Sequence, residues 1–246
     1  MPSLKYNDGT RSGFGHDGAY EDAGDLELIE NPTSRKGGEK WGAPDGSPVF
    51  DAIENRVVEL IGRGKRPVLL GGDHSITYPI MKAFAKKYRE LTIVHFDAHP
   101  DLYDEFEGNR LSHACPFARI MEASLAKRLV QLGIRTMVKH QQEQADRFAV
   151  EVVRMHALPA YAKLKADGPI YVTFDMDVLD PAFAPGVSHR EPGGMSVREA
   201  IAHLHAIEGE IVGADVVEFN PLRDVSGITA TVAAKIVKEI LGKMIA

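Results

Sequence analysis

From residue 47 onward, apolar positions recur in two alternating rhythms. The run "VFDAIENRVVELIGRG" (49–64) puts Val49, Ile53, Val57, Val58, Leu60 and Ile61 largely on one helical face, and Gly62 and Gly64 end it. A short apolar strand follows in "RPVLLGGDHS" (66–75), broken by two glycines. Then come a helix in "ITYPIMKAFAKKYRE" (76–90), a strand in "LTIVHFDAH" (91–99) and a helix in "CPFARIMEASLAKRL" (115–129), with Pro116 in its first turn. "VQLGIRTM" (130–137) reads as a strand, "QQEQADRFAV" (141–150) as a helix, "EVVRMH" (151–156) as a strand and "ALPAYAKLKADG" (157–168) as a helix closed by Gly168. "PIYVTFDMD" (169–177) is a strand, "SVREAIAHLHAIEG" (196–209) a helix capped by Ser196, "EIVGADVVEFN" (210–220) a strand, and residues 228–245 the closing helix.

The strands are near-continuous apolar runs, the pattern of a sheet covered on both faces. Regular alternation of strand and helix predicts an α/β fold, a three-layer α/β/α sandwich around a mainly parallel sheet. Residues 1–46 lack periodicity and are rich in Gly, Asp, Asn and Ser, so they read as irregular; the whole chain, 1–246, reads as one domain.

Three strands run into charge. "VLLGGD" delivers His74; "LTIVHFD" delivers Asp97, His99 and Asp101; "YVTFD" delivers Asp175 and Asp177. Ligands of open α/β sheets bind outside the carboxyl ends of strands. On extended backbone, residues two apart share a side, so Asp97, His99 and Asp101 are expected together, and so are Asp175 and Asp177. Four carboxylates that close repel one another unless a cation joins them. A lone Asp after a strand is ordinarily a turn residue and a lone His a satisfied polar group; the recurrence at several strand ends favours metal. Mixed carboxylate and imidazole donors suit Mn²⁺, with Zn²⁺, Fe²⁺ or Co²⁺ open. Six ligands suit two ions with bridging carboxylates, about 3.5–4 Å apart.

Bulk properties narrow the classes. The chain has 246 residues, 44% hydrophobic and 26% charged, which is a globular composition. A net charge of −6 argues against nucleic acid as partner. Cys115 is the single cysteine, so no internal disulfide forms. No apolar leader and no membrane-length apolar run are seen, and the expectation is a soluble, cytoplasmic protein with no membrane partner.

With "GGDHS" at 71–75, "DAHPD" at 97–101 and "TFDMDVLDPAFAPG" at 173–186 in order, the sequence resembles the ureohydrolases, the family of arginases and agmatinases. Its longer motifs are most similar to plant-type arginases, and the resemblance runs from about residue 65 to the C-terminus. It implies two Mn²⁺ per subunit, one on His74 and Asp101, the other on His99 and Asp177, with Asp97 and Asp175 bridging. It implies a catalytic set of His113 in "SHACPF", Glu218 in "VVEFNP" and the ligand Asp101. His113 would move a proton to the leaving amine, and Glu218 would hold a guanidinium. Without the resemblance, His113 reads as a loop histidine and Glu218 as an ion-pair partner, for example of Arg223.

The implied substrate is a small cationic guanidino compound, arginine first, with agmatine or another guanidino acid as the alternative. Asn109, Arg110 and Ser112 would read a carboxylate, whereas Asp104, Glu105 and Glu107 would suit a second amine. His189 follows "PGVS" at the expected pocket rim. Asp180 falls outside the metal shell, as a turn-stabilising residue, and His95 belongs to the scaffold. A binuclear phosphohydrolase or deacetylase is the rival class, and a noncatalytic metal-binding member the third; no Arg or Lys within the three motifs is available to clamp a phosphoryl group. Family members start with a strand that is not found here, and they form trimers or hexamers, so a homo-oligomer is expected.

Overall fold

The computed structural model describes residues 20–26, 48–160 and 163–245. Most of the segment read as irregular, 1–46, lies outside the described residues, as does any first strand within it; residues 20–26 are exposed and carry no regular structure. Helices α1 (Pro48–Gly62), α2 (Thr77–Ala85), α3 (Pro116–Glu122), α4 (Lys139–Arg147), α5 (Val197–His205) and α6 (Ile228–Ile245) surround the strands β1 (Val68–Leu70), β2 (Thr92–Phe96), β3 (Arg128–Ile134), β4 (Glu151–Arg154), β6 (Ile170–Asp175) and β8 (Ile211–Val217). These strands form one parallel sheet in the order β1-β8-β6-β2-β3-β4. Two residues each from β5 (Leu164–Lys165) and β7 (Ile207–Glu208) make a small second ladder.

Both faces of the sheet are covered, as the unbroken apolar strands require. On one face Ile53, Val57, Ile80, Phe84 and Phe117 pack on Ile93, Leu129 and Tyr171. On the other, Ala200, Leu204, Ile236 and Ile240 pack on Val94, Phe96, Val130, Val172 and Phe174. Each buried side chain of this size contributes about 1.5–3 kcal/mol. In α1 the buried stripe uses Phe50 and leaves Val58 exposed, a small shift from the expected face.

Two helix expectations fail in part. The helix read over 115–129 stops at Glu122; Ser124 takes φ 52°, and Arg128 onward joins the sheet as β3. Ala and Lys favour helix, but the apolar run that follows them pairs with β2, and tertiary pairing wins. The helix read over 157–168 is instead a 3-10 turn (Met155–Ala160) followed by β5. Pro159 lacks the N–H that a continuing α-helix would need.

Helix α5 begins as read. Ser196 Oγ accepts from Glu199 N–H at 3.2 Å, and the Glu199 carboxylate returns to Ser196 N–H at 2.7 Å. Replacing Ser196 by Ala should cost about 1 kcal/mol in denaturant unfolding. A change under a few tenths would show that this cap is not holding the helix.

Connections from β2 and β6 leave the sheet at its carboxyl edge and converge. Gly133, at φ 98°, lets the end of β3 lie beneath them. A Cβ there would sit 2.7 Å from Val178 Cγ2 and 3.1 Å from the Asp97 carbonyl oxygen.

Candidate metal centre

Six side chains meet at that edge. His74 opens a 3-10 turn (His74–Ile76) past β1, with Asp73 as its N-cap. Asp97, His99 and Asp101 follow β2; Asp175 ends β6; Asp177 lies in the next 3-10 turn (Met176–Val178). The cluster forms as read, but not by strand alternation. Asp101 takes φ 48°, and the Asp175 carboxylate turns the chain by accepting Asp177 N–H at 2.7 Å. Asp101 and Glu218 (φ 63°) are two of five described non-glycine residues in the left-handed region, strain of the kind that collects at functional sites.

His74 Nδ1 lies 3.2 Å from Asp97 Oδ2, 3.1 Å from Asp101 Oδ2 and 3.2 Å from Asp175 Oδ2. It is buried and makes no hydrogen bond to any of them. Donors about 3 Å apart are what bonds of about 2.1 Å at right angles to one ion would give. The orphaned nitrogen and three converging oxygens therefore fit a divalent cation. A second group sits beside the first: His99 Nδ1 lies 3.1 Å from Asp177 Oδ2 and 3.5 Å from Asp97 Oδ1. Asp97 thus turns one oxygen to each imidazole. The same carboxylate is part of both groups able to hold an ion, Asp97–His99–Asp177 and His74–His95–Asp97.

Electrostatics give the same picture. Burial, then the charges of Asp177 and Asp97, push the Asp175 carboxyl well above its usual range. Burial and Asp97 raise Asp101 to about 6 and also raise Asp177. Burial acts against the charged forms of His74 and His99, but the surrounding carboxylates outweigh it. They take His99 up to about 12 and His74 well above its usual value. Protons are therefore favoured on the two histidines and on Asp101, Asp175 and Asp177, while the neighbouring histidines hold Asp97 well below the usual carboxylate range against its burial. Asp101, at about 6 when folded against 3.8 ordinarily, binds a proton that the unfolded chain has already lost, so it costs stability as pH rises through that window. A cation must displace these protons. Mn²⁺ binding should release protons, and the rise in Tm on adding Mn²⁺ should be larger at about pH 8 than at about pH 5. Equal shifts at the two pH values would contradict this account.

Support for the ligands comes from beneath. Across the sheet, Gln131 on β3, His95 on β2, Thr173 on β6 and Asp215 on β8 stand in register as one buried polar row. Thr173 Oγ1 lies 3.0 Å from His74 Nε2 and donates to Asp215 Oδ1 at 2.5 Å. Asp215 also accepts from Tyr171 and Thr77, at 2.8 and 3.0 Å. Thr173 must then accept from Nε2–H, which leaves Nδ1 free to bind a cation. Sequence reading missed this row, although a polar residue in each of four apolar strands was its visible signal.

Around the ligands, Glu218 Oε1 accepts His74 N–H at 2.9 Å, and burial together with Asp73 raises its carboxyl to about 8. His113 is partly buried, stacked on His189 at 5.4 Å and edge-on to Phe106 at 5.9 Å; burial holds it below its usual value. His189 in turn meets His99 edge-on at 6.1 Å. Ser112 is 1% exposed, its hydroxyl turned to Ala114 N–H at 3.4 Å. Asn109 Oδ1 caps Leu111 N–H at 2.8 Å. Arg110 pairs with Asp104 at 2.8 Å and Glu122 at 3.0 Å, and the buried Arg119 also holds Asp104. These loop charges neutralise one another. Asp180 staples a loop, as expected, by accepting Ala182, Gly193 and Gly194 N–H groups.

One cation does approach the centre from outside the three motifs. Arg135 spends its guanidinium on backbone carbonyls, Asp177 O at 2.7 Å and Glu191 O at 2.6 Å among them. It buttresses the metal loop and is not free to clamp a phosphoryl group.

The family model described as Arginase family matches residues 3–242. The chain belongs to the arginase family. Among curated relatives, Arginase 1, mitochondrial, from Arabidopsis thaliana is 52% identical over 188 residues, 73% of this chain and 55% of that protein. An agmatinase from Bacillus anthracis is 37% identical over 228 residues, covering 90% of this chain and 74% of its own. The chain spans about half the length of the plant relatives it matches. Among solved structures, arginase from Medicago truncatula superposes with a TM-score of 0.78 at 47% identity, covering 81% of this chain and 66% of its own. A T. brucei arginase-like triple mutant bound with Mn²⁺ gives 0.75 at 30% identity, covering 86% and 72%. These neighbours share the α/β/α arrangement read from the sequence.

The cytoplasmic expectation is overturned. The Arabidopsis, rice and Medicago relatives are named as mitochondrial. It rested on the lack of an apolar leader, but mitochondrial addresses are amphipathic and basic, so that criterion does not bear on them. No helix among the described residues is long and apolar enough to cross a membrane.

Proposed function

We propose that the chain is a manganese-dependent amidinohydrolase that cleaves the guanidino group of L-arginine to urea and ornithine. The observation that carries this reading is Asp97, whose two oxygens face His74 and His99 separately. His74 and Asp101 would hold one Mn²⁺, His99 and Asp177 the other, with Asp97 and Asp175 between them. When bound, the ions supply hydroxide from water near neutral pH.

The chain's own groups do the rest. Glu218, anchored by His74 N–H, takes a paired hydrogen bond from the substrate guanidinium and fixes its carbon. Depression of its imidazolium keeps His113 mostly neutral at pH 7, able to accept a proton and return it to the leaving amine. Its stacking on His189 sets the ring's direction. Arginine is preferred because the plant arginases share more identity with this chain than the bacterial agmatinase does. Agmatine is the second reading, favoured by one observation: Arg110, a candidate carboxylate reader, is engaged by Asp104 and Glu122. Asn109, Ser112 and His189 stay in the proposal as contacts to the substrate tail. Assembly as a trimer or hexamer also belongs to it, and light scattering tests that part.

The deciding experiment is urea release by the Mn²⁺-loaded protein from arginine, agmatine and guanidinobutyrate. Arginine should give the highest kcat/KM. No urea from any of the three, with metal bound, would sink the reading; a preference for agmatine would replace arginine within it.

A further inference from the structure

His95 brings a third imidazole to the cluster. It is fully buried, its Nε2 lies 2.7 Å from Asp97 Oδ2, and with His74 and Asp97 it forms a group that could hold an ion. Whether it is a ligand depends on where its proton sits, and the surroundings decide that.

Gln131 stands beside His95 in register on β3. Its Nε2 lies 2.6 Å from the Pro100 carbonyl oxygen and 3.0 Å from His95 Nδ1, while its Oε1 is buried without a partner. A carbonyl only accepts, so the group facing Pro100 is the amide NH₂. That same NH₂ has a second hydrogen, and His95 Nδ1 receives it. Nδ1 is therefore the acceptor and Nε2 carries the hydrogen, which points at Asp97 Oδ2. The ring is clamped in this direction by stacking on Phe117 (4.0 Å between centroids, 29° between planes) and by its edge contact with His74 at 4.9 Å.

We propose that His95 is a positioning residue for the metal centre and not a third imidazole ligand. Locked by Gln131, it donates Nε2–H to Asp97 and fixes the oxygen that Asp97 shares with His74. This rests on the two-Mn²⁺ reading above. The chain Pro100–Gln131–His95–Asp97 also ties the ligand loop to itself, since Pro100 lies between His99 and Asp101. A ligating His95 would have to present a bare Nε2 and turn Nδ1–H against the Gln131 amide.

The test uses protein labelled with ¹⁵N-histidine. In the metal-free wild type, NMR should show His95 protonated at Nε2 and bare at Nδ1; the opposite tautomer would overturn the inference. In the Mn²⁺-loaded wild type, electron–nuclear double resonance should count two coordinated imidazole nitrogens, those of His74 and His99. His95→Phe, which keeps a ring against Phe117, should weaken Mn²⁺ binding by about 10–100-fold in calorimetry and leave that count at two. A third nitrogen that disappears in His95→Phe would make His95 a ligand and end the proposal. Gln131→Met leaves the imidazole in place and should weaken binding about tenfold, so the idea stays testable if His95→Phe does not fold. Unchanged affinity in every variant that folds would also overturn it, while leaving the metal reading intact. A wild type that binds no Mn²⁺ would instead remove the metal reading and this inference together.

Discussion

Asp97→Asn is expected to lose both Mn²⁺ ions and urea release together. Among the described residues, only Asp97 places an oxygen against each ligand imidazole, Oδ2 at 3.2 Å from His74 Nδ1 and Oδ1 at 3.5 Å from His99 Nδ1. Each oxygen also receives an N–H from behind, His95 Nε2 at 2.7 Å and His99 N at 2.6 Å. An amide cannot replace this carboxylate, because its NH₂ must meet an N–H donor whichever way it turns. Burying that clash costs about 1–3 kcal/mol, a cost the folded domain should survive. Metal affinity should fall by more than the roughly 10–100-fold typical of residues behind the ligands, and activity should fall with it. Calorimetry and circular dichroism on the same sample separate lost metal from lost fold. If Asp97→Asn keeps a Mn²⁺ pair and activity within about tenfold of wild type, the bridging role is wrong.

The same residue shows what the sequence made legible. All six side chains of the cluster were readable because each lies where an apolar strand gives way to charge, and open parallel sheets gather ligands at that edge. The argument from extended backbone expected these side chains together, and the structure brings them together by another route. Left-handed backbone at Asp101 and the carboxylate-capped turn at Asp177 aim these side chains, and neither is encoded by spacing alone. His95 was readable as buried scaffold, but its donor role was not, because it depends on Gln131, which lies 36 residues away and meets it only through β2–β3 register. Arg135 was equally hidden: its guanidinium donates to the carbonyls of Asp177, Val178 and Glu191, all distant in sequence. Helix ends over 123–127 and 157–168 failed for a related reason. Local propensity favoured helix there, and sheet pairing or a proline decided otherwise. Motif chemistry is local and legible; support between strands is not.

Glu218→Gln should separate substrate binding from metal binding. Gln keeps an acceptor for His74 N–H and nearly the same shape, so the left-handed turn at φ 63° and the metal loop should stay intact. What disappears is the charge that meets the guanidinium. Losing a charge-assisted pair in a partly buried site costs about 3 kcal/mol, roughly a hundredfold in kcat/KM for arginine. Mn²⁺ affinity should change little. The pH profile gives a second readout. Burial and Asp73 raise the Glu218 carboxyl to about 8 in the metal-free site, and bound cations would draw it lower. Only the ionised form accepts a guanidinium pair, so kcat/KM should fall as pH drops through a midpoint below that value. The variant should lack this limb, because an amide has no proton to lose. A variant with wild-type kcat/KM and the same acid limb would move the guanidinium contact away from Glu218, and Asp73, the neighbouring carboxylate, would be the next residue to substitute.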